Sequence, residues 1–105
     1  MNIFTREILV KFTKKHNTTK KFLELWYNDV KSKNWKSSTE LKRDYASASI
    51  INSSRVVFNI KGNSYRLIAE INYEKSILII RFVGTHSEYD KIDASTVDQY
   101  KKYKR

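Results

Sequence analysis

The stretch RFVGTHSEYD, Arg81 to Asp90, follows ILII, Ile77 to Ile80, the most apolar run of the chain. Within ten residues it presents a guanidinium, an imidazole, a phenol and a carboxylate. A guanidinium grips phosphate oxygens through two parallel hydrogen bonds and keeps its charge at any working pH. An imidazole is the side-chain type that exchanges protons in the neutral range. A tyrosine can donate a proton or stack on an unpaired base. These types suit RNA cleavage without a metal. That reaction needs a base for the 2′-hydroxyl, an acid for the 5′-oxygen and cations for the phosphorane. Arg66 and Arg81 are the candidate phosphate-binding arginines, Lys61 an assisting point charge, and His86 and Tyr89 the candidate proton carriers or stacking groups. Asp90 suits the cap of a following turn. Metal chemistry is not indicated. His16 and His86 lie 70 residues apart, no zinc-type spacing occurs, and there is no phosphate-cradling glycine-rich loop.

The elements that must position these groups divide the chain in two. In the first half, Ile3 and Phe4 predict a short strand. Thr5 is the expected N-cap of a helix, with Glu7 in its first turn and an apolar face of Ile8, Leu9 and Phe12. Asn17 to Thr19 break it. Phe22, Leu25, Trp26 and Val30 predict the buried stripe of a second helix, and Trp35 a core plug. Ser37 and Glu40 have capping-box spacing before a short third helix through Leu41. Asp44 to Ser54, rich in Ser and Ala, is expected as a loop. The second half reads as strands: RVVFNI (55–60), YRLIAEINY (65–73) and ILIIRFV (77–83), β-branched and aromatic, with gaps short enough to force antiparallel pairing.

Taking Gly62-Asn63 and Lys75-Ser76 as two-residue turns pairs Ile60 with Tyr65 and Tyr73 with Leu78. One sheet face then reads Val56, Phe58, Ile60, Tyr65, Leu67, Ala69, Ile71, Tyr73, Leu78, Ile80, Phe82, without a charge. It should bury against the helices, as the main stabilising contribution at ~25 cal/mol per Å² of apolar surface. The other face carries a row Arg55, Glu70, Arg81 and a row Asn59, Arg66, Thr85. Neighbours across strands lie ~5 Å apart, so such groups can share a ligand. Gly84 is expected to bend the strand so that His86 turns toward this charged face.

Composition narrows the partners. The 105 residues hold 21 Lys and Arg against 11 Asp and Glu, a net charge of +10, which favours polyanions. Residues 1 to 43 carry 11 basic and 4 acidic groups, net +7. Arg55, Asn59, Lys14, Lys15, Lys20 and Lys21 are therefore candidate RNA contacts. There are no cysteines, and no segment approaches the ~18 apolar residues of a membrane span or shows a signal-peptide core. The expected compartment is the cytoplasm. One domain over residues 1–95 and a basic C-terminal tail over 96–105, ending in KKYKR, are expected.

The run RVVFNIKGNSYRLIAEINYEKSILIIRFVGTHSEYDKID, Arg55 to Asp93, resembles the signature region of HigB-type toxins of bacterial type II toxin–antitoxin systems, members of the RelE-like superfamily. LWYNDVKSKNWKSSTELK before the loop fits the same resemblance, which covers residues 1 to 95. The resemblance implies an α+β RelE-like fold, with N-terminal helices packed on one face of a small antiparallel sheet and the site on the other. It implies a metal-independent mRNA endonuclease that uses no cofactor and cuts messages on the translating ribosome. It also implies a neutralising antitoxin with a helix-turn-helix domain. By matching position, Lys61, Arg66, Arg81, His86 and Tyr89 are its site residues. Two other functions stay open: a toxin of the same fold that blocks a protein such as gyrase, and a non-catalytic RNA-binding module.

Overall fold

Helical spacing in the first half and strand alternation in the second yield an α+β protein with helices laid on one sheet. The computed structural model describes residues 1–102. Its elements run β1 (Asn2–Phe4), α1 (Glu7–Lys15), a 3-10 turn (Asn17–Thr19), α2 (Lys20–Lys31), α3 (Ser38–Asp44) and β2 (Ser49–Ile50). Then come β3 (Arg55–Ile60), β4 (Tyr65–Asn72), β5 (Ile77–Thr85), α4 (His86–Tyr89) and a 3-10 turn (Gln99–Lys102). The five strands lie in the order β1-β5-β4-β3-β2. The three long strands pair antiparallel as expected. β1 adds a parallel edge on β5, Ile3 opposite Leu78, so the sheet is mixed. β2, inside the expected loop, caps the other edge through Ser49 and Ile50.

The core face is covered by Ile8, Leu9 and Phe12 of α1, Leu23, Trp26 and Val30 of α2, Leu41 of α3, and Trp35. Phe58 stands at its centre, with the rings of Tyr45, Trp26 and Trp35 at 5.2, 5.4 and 6.4 Å. The Trp35 indole donates to Asp44 Oδ2 at 2.8 Å, which holds that carboxyl below its usual range. Leu23 takes the buried place in α2 that Phe22 and Leu25 were expected to fill; both of those are exposed. Thr5 does not cap α1. It takes a left-handed φ of 64° and donates to the Ile80 carbonyl at 2.6 Å, tying the chain to β5. Ser37 does cap α3, accepting from the Glu40 amide at 3.4 Å.

The first hairpin has the predicted register, Ile60 opposite Tyr65 and Val56 opposite Ala69. The second departs from it. Asn72 pairs with Ile77 and Ile71 with Leu78, so the loop holds four residues rather than two. The register then slips by one between Ile68 and Ala69: Ala69 faces Ile80, but Ile68 faces Phe82. Arg81 is the extra residue of this bulge. A bulge sends two successive side chains to the same side of the sheet. Phe82 therefore leaves the core face, where it was expected, and joins Val57 and Ile68 on the outer face, while Val83 enters the core. Tyr89, Ile92, Ala94 and Val97 cover this second apolar cluster. The chain after residue 95 is still part of the fold. Gln99 Oε1 accepts the Val83 amide at 3.1 Å, and Tyr100 packs against the main core. Positions 103–105 of the expected tail lie outside the described residues.

Candidate functional site

The bulge and the segment behind α4 decide what the charged face offers. Arg55, buried at 8 % exposure, donates to the carbonyls of Ala94 at 3.1 Å and Val97 at 2.7 Å, and approaches Glu70 Oε1 at 3.4 Å. Arg81 donates through Nε to Glu70 at 3.0 Å and through a terminal nitrogen to Asp98 Oδ2 at 3.2 Å. The row Arg55, Glu70, Arg81 thus exists on the outer face, but two carboxylates and two carbonyls occupy its donors. It fastens residues 94–98 across the sheet. Asn59 is likewise engaged, donating to the Ser47 carbonyl at 3.1 Å.

The other end of the same face is open. α4 starts with a reciprocal cap. Glu88 N donates to Thr85 Oγ1 at 3.1 Å, and Thr85 N donates to Glu88 Oε1 at 2.8 Å. The cap sets His86 and Tyr89 three residues apart on one turn. The His86 amide donates to the Ser64 carbonyl at 3.1 Å, fixing the start of α4 against the β3–β4 turn. That turn carries Lys61, held exposed at a left-handed φ of 54°. Arg66 leaves β4 beside it, donates to the Asn63 carbonyl at 2.9 Å, and lays its guanidinium 5.7 Å from the centre of the Tyr89 ring. His86 Nδ1 lies 3.1 Å from Asp90 Oδ2, with the imidazole side chain 55 % exposed. The carboxylate orients the ring and leaves the other nitrogen toward solvent. Asp90, expected as a turn cap, is this orienting group.

Gly84 serves differently from the expected bend. A Cβ there would stand 2.5 Å from the Phe82 ring and 3.0 Å from Glu88 Oε1. Glycine lets Phe82 fold over the strand and the cap of α4 close above it. Arg66 sits opposite this bare position.

Of the predicted residues, the structure gathers Lys61, Arg66, His86 and Tyr89 around one turn. It commits Arg55 and Arg81 to carboxylates and Asn59 to a loop. Lys14, Lys15, Lys20 and Lys21 are exposed on the helical layer, outside this cluster. Lys61 Nζ comes within 5.8 Å of the exposed Phe22 ring of α2, so the two regions adjoin there. His16 is half-buried, stacked on Phe12 at 4.5 Å. Among the described residues no three His, Asp or Glu side chains come together as metal ligands would. Sequence reasoning missed Ser64 and Asp98. Ser64 acts through a backbone carbonyl, which carries no residue signature. Asp98 lies 17 residues beyond the arginine it meets.

One family model matches residues 19–92, 74 of the 105 positions: HigB toxin, the RelE-like toxic component of a toxin–antitoxin system. No curated protein matches the chain in sequence.

Proposed function

Because this chain belongs to the HigB toxins, the RelE-like toxic components of toxin–antitoxin systems, we propose that it arrests growth by cutting messenger RNA in the cytoplasm, on the translating ribosome. The observation that carries this reading is the convergence of Arg66, His86 and Tyr89 beside the β3–β4 turn that bears Lys61, with the His86 amide bound to Ser64 and Arg66 laid over Tyr89. Arg66 and Lys61 hold the scissile phosphate and offset the charge that grows on it. The 2′-hydroxyl loses its proton as its oxygen attacks phosphorus, and the 5′-oxygen leaves with a proton. The products are a 2′,3′-cyclic phosphate and a 5′-hydroxyl end. His86, oriented by Asp90, exchanges one of these protons. Tyr89 stacks on the neighbouring base or exchanges the other. Arg55 and Arg81 act by holding the C-terminal segment in place. Lys15 and Lys21, with Lys14 and Lys20, face ribosomal RNA, where phosphate contacts position without reading sequence.

The experiment is induced expression with message integrity followed through the arrest. Cleaved messages with 5′-hydroxyl ends are the expected result. Arrest with intact messages would instead indicate a protein target.

A further inference from the structure

The helical layer has its own concavity, on the surface of α1 and α2. It is about 800 Å³ in volume, and Leu9, Val10, Leu23 and Tyr27 supply its apolar lining. Val10 is 46 % exposed, an unusual place for an aliphatic side chain inside a groove. The 3-10 turn at Asn17–Thr19 folds the two helices into a hairpin, so the cations of the groove gather at its two ends. Arg6 and Lys31 stand at one end and Lys14 and Lys20 at the other. Arg6 lies 4.9 Å over the Tyr27 ring, which holds it at the rim. Among the described residues none of these four cations forms an ion pair, and Glu24 is the one acid in the lining.

We propose that the α1–α2 groove is the docking site of the antitoxin, which enters it as an amphipathic helix with acidic residues bracketing its apolar face. At a rise of 1.5 Å per residue, Arg6 and Lys14 stand roughly 12 Å apart along α1, about two helical turns. A helix seated over Val10 and Tyr27, above the buried Leu9 and Leu23, thus presents its apolar anchors to these two and carboxylates about two turns apart. The bare cations supply the complementary field that steers encounter and fixes register. RNA fits less well. Phosphates would meet the rim but leave the apolar floor uncovered, and Val10 gains nothing from a phosphate. A helix in this groove also covers Lys14 and Lys20, so binding there removes two of the cations assigned above to ribosomal RNA. The proposal rests on family membership and not on the nuclease chemistry.

The test is calorimetric titration of the full chain with the full-length antitoxin, taken as the helix-turn-helix product of the adjacent reading frame. Val10→Glu with Lys31→Glu should weaken binding by about 30-fold or more, the scale of losing a central anchor and a paired charge. Toxicity of the doubly substituted chain should persist and become resistant to antitoxin co-expression. Leu25→Glu, exposed on α2 but outside the groove, should bind as wild type; all variants should match wild type in melting temperature. Affinity unchanged within threefold, or an equal loss in Leu25→Glu, overturns the proposal. Loss of toxicity with affinity intact also overturns it and assigns the groove to RNA. Binding is read without cleavage, so this outcome is separate from that of the nuclease reading.

Discussion

Two arginines of the same sheet face behave as different chemical objects because of the groups beside each. Arg81 meets Glu70 and Asp98, its side chain only 22 % exposed, whereas Arg66 meets one carbonyl and an aromatic ring. Removing one member of a sheltered ion network leaves its partners desolvated and unpaired. Arg81→Ala should therefore lower unfolding free energy by about 1–3 kcal/mol in urea titrations, since Asp98 loses its cation and Glu70 keeps only Arg55 at 3.4 Å. Arg66→Ala should stay within about 0.5 kcal/mol of wild type, as surface changes do. If Arg66 binds the scissile phosphate, the same variant should lose roughly 10²- to 10³-fold in message cleavage, the usual effect of removing one transition-state donor. The reverse pattern, a destabilised Arg66→Ala beside a merely inactive Arg81→Ala, would exchange their roles. The row Arg55, Glu70, Arg81 was legible in the strand alternation and its ion pairs are present; Asp98 was not legible, because it lies in a segment whose composition reads as a tail.

At the level of elements, alternation in β3, β4 and β5 was enough to assign the core face and the first hairpin's register. It failed at Arg81, because an inserted residue leaves the apolar count intact while moving Phe82 to the opposite side. Helix α2 carried two overlapping apolar rows that share Trp26 and Val30, and the one with Leu23 is the one buried in the core. Parallel pairing of a three-residue β1 has no local signature. Gly84→Ala should cost about 1–3 kcal/mol, as overpacking does, because the Phe82 ring must move. In a Phe82→Ala background the same change should cost much less, a non-additivity expected of touching groups. Equal costs in both backgrounds would show that the ring is not the obstacle. A second test concerns the Trp35–Asp44 link between α3 and the loop before it. The folded Asp44 carboxyl titrates below its ordinary value of 3.8, chiefly because the indole donates to it. Its contribution is complete above that value and disappears as pH falls through the depressed one. Wild type should thus lose stability more steeply than Asp44→Asn as pH falls below about 3.8. Parallel curves would deny the link.

The molecule as a whole presents two basic surfaces that adjoin where Lys61 meets Phe22. The β3–β4 turn with α4 carries the proposed RNA chemistry, and among the described residues the α1–α2 hairpin carries most of the exposed lysines. The segment from Ile92 to Tyr100 seals the sheet face beyond the proposed site. A chain ending at residue 95 should lose more than about 2 kcal/mol, because Arg81 loses Asp98 and the Val57–Ile68–Phe82 cluster loses Val97. A truncated chain that melts with the full-length protein would make this segment an accessory. No described helix is long and apolar enough to cross a membrane. Whether the cluster at the β3–β4 turn cuts RNA is decided by adding wild type, Arg66→Ala and His86→Ala to a translating extract and mapping the ends of one labelled message. Wild type should leave 5′-hydroxyl fragments, and each variant, with an unchanged melting temperature, should cut at least about 100-fold more slowly. A message left whole by wild type, or cut as fast by both variants, would rule this cluster out as the nuclease site.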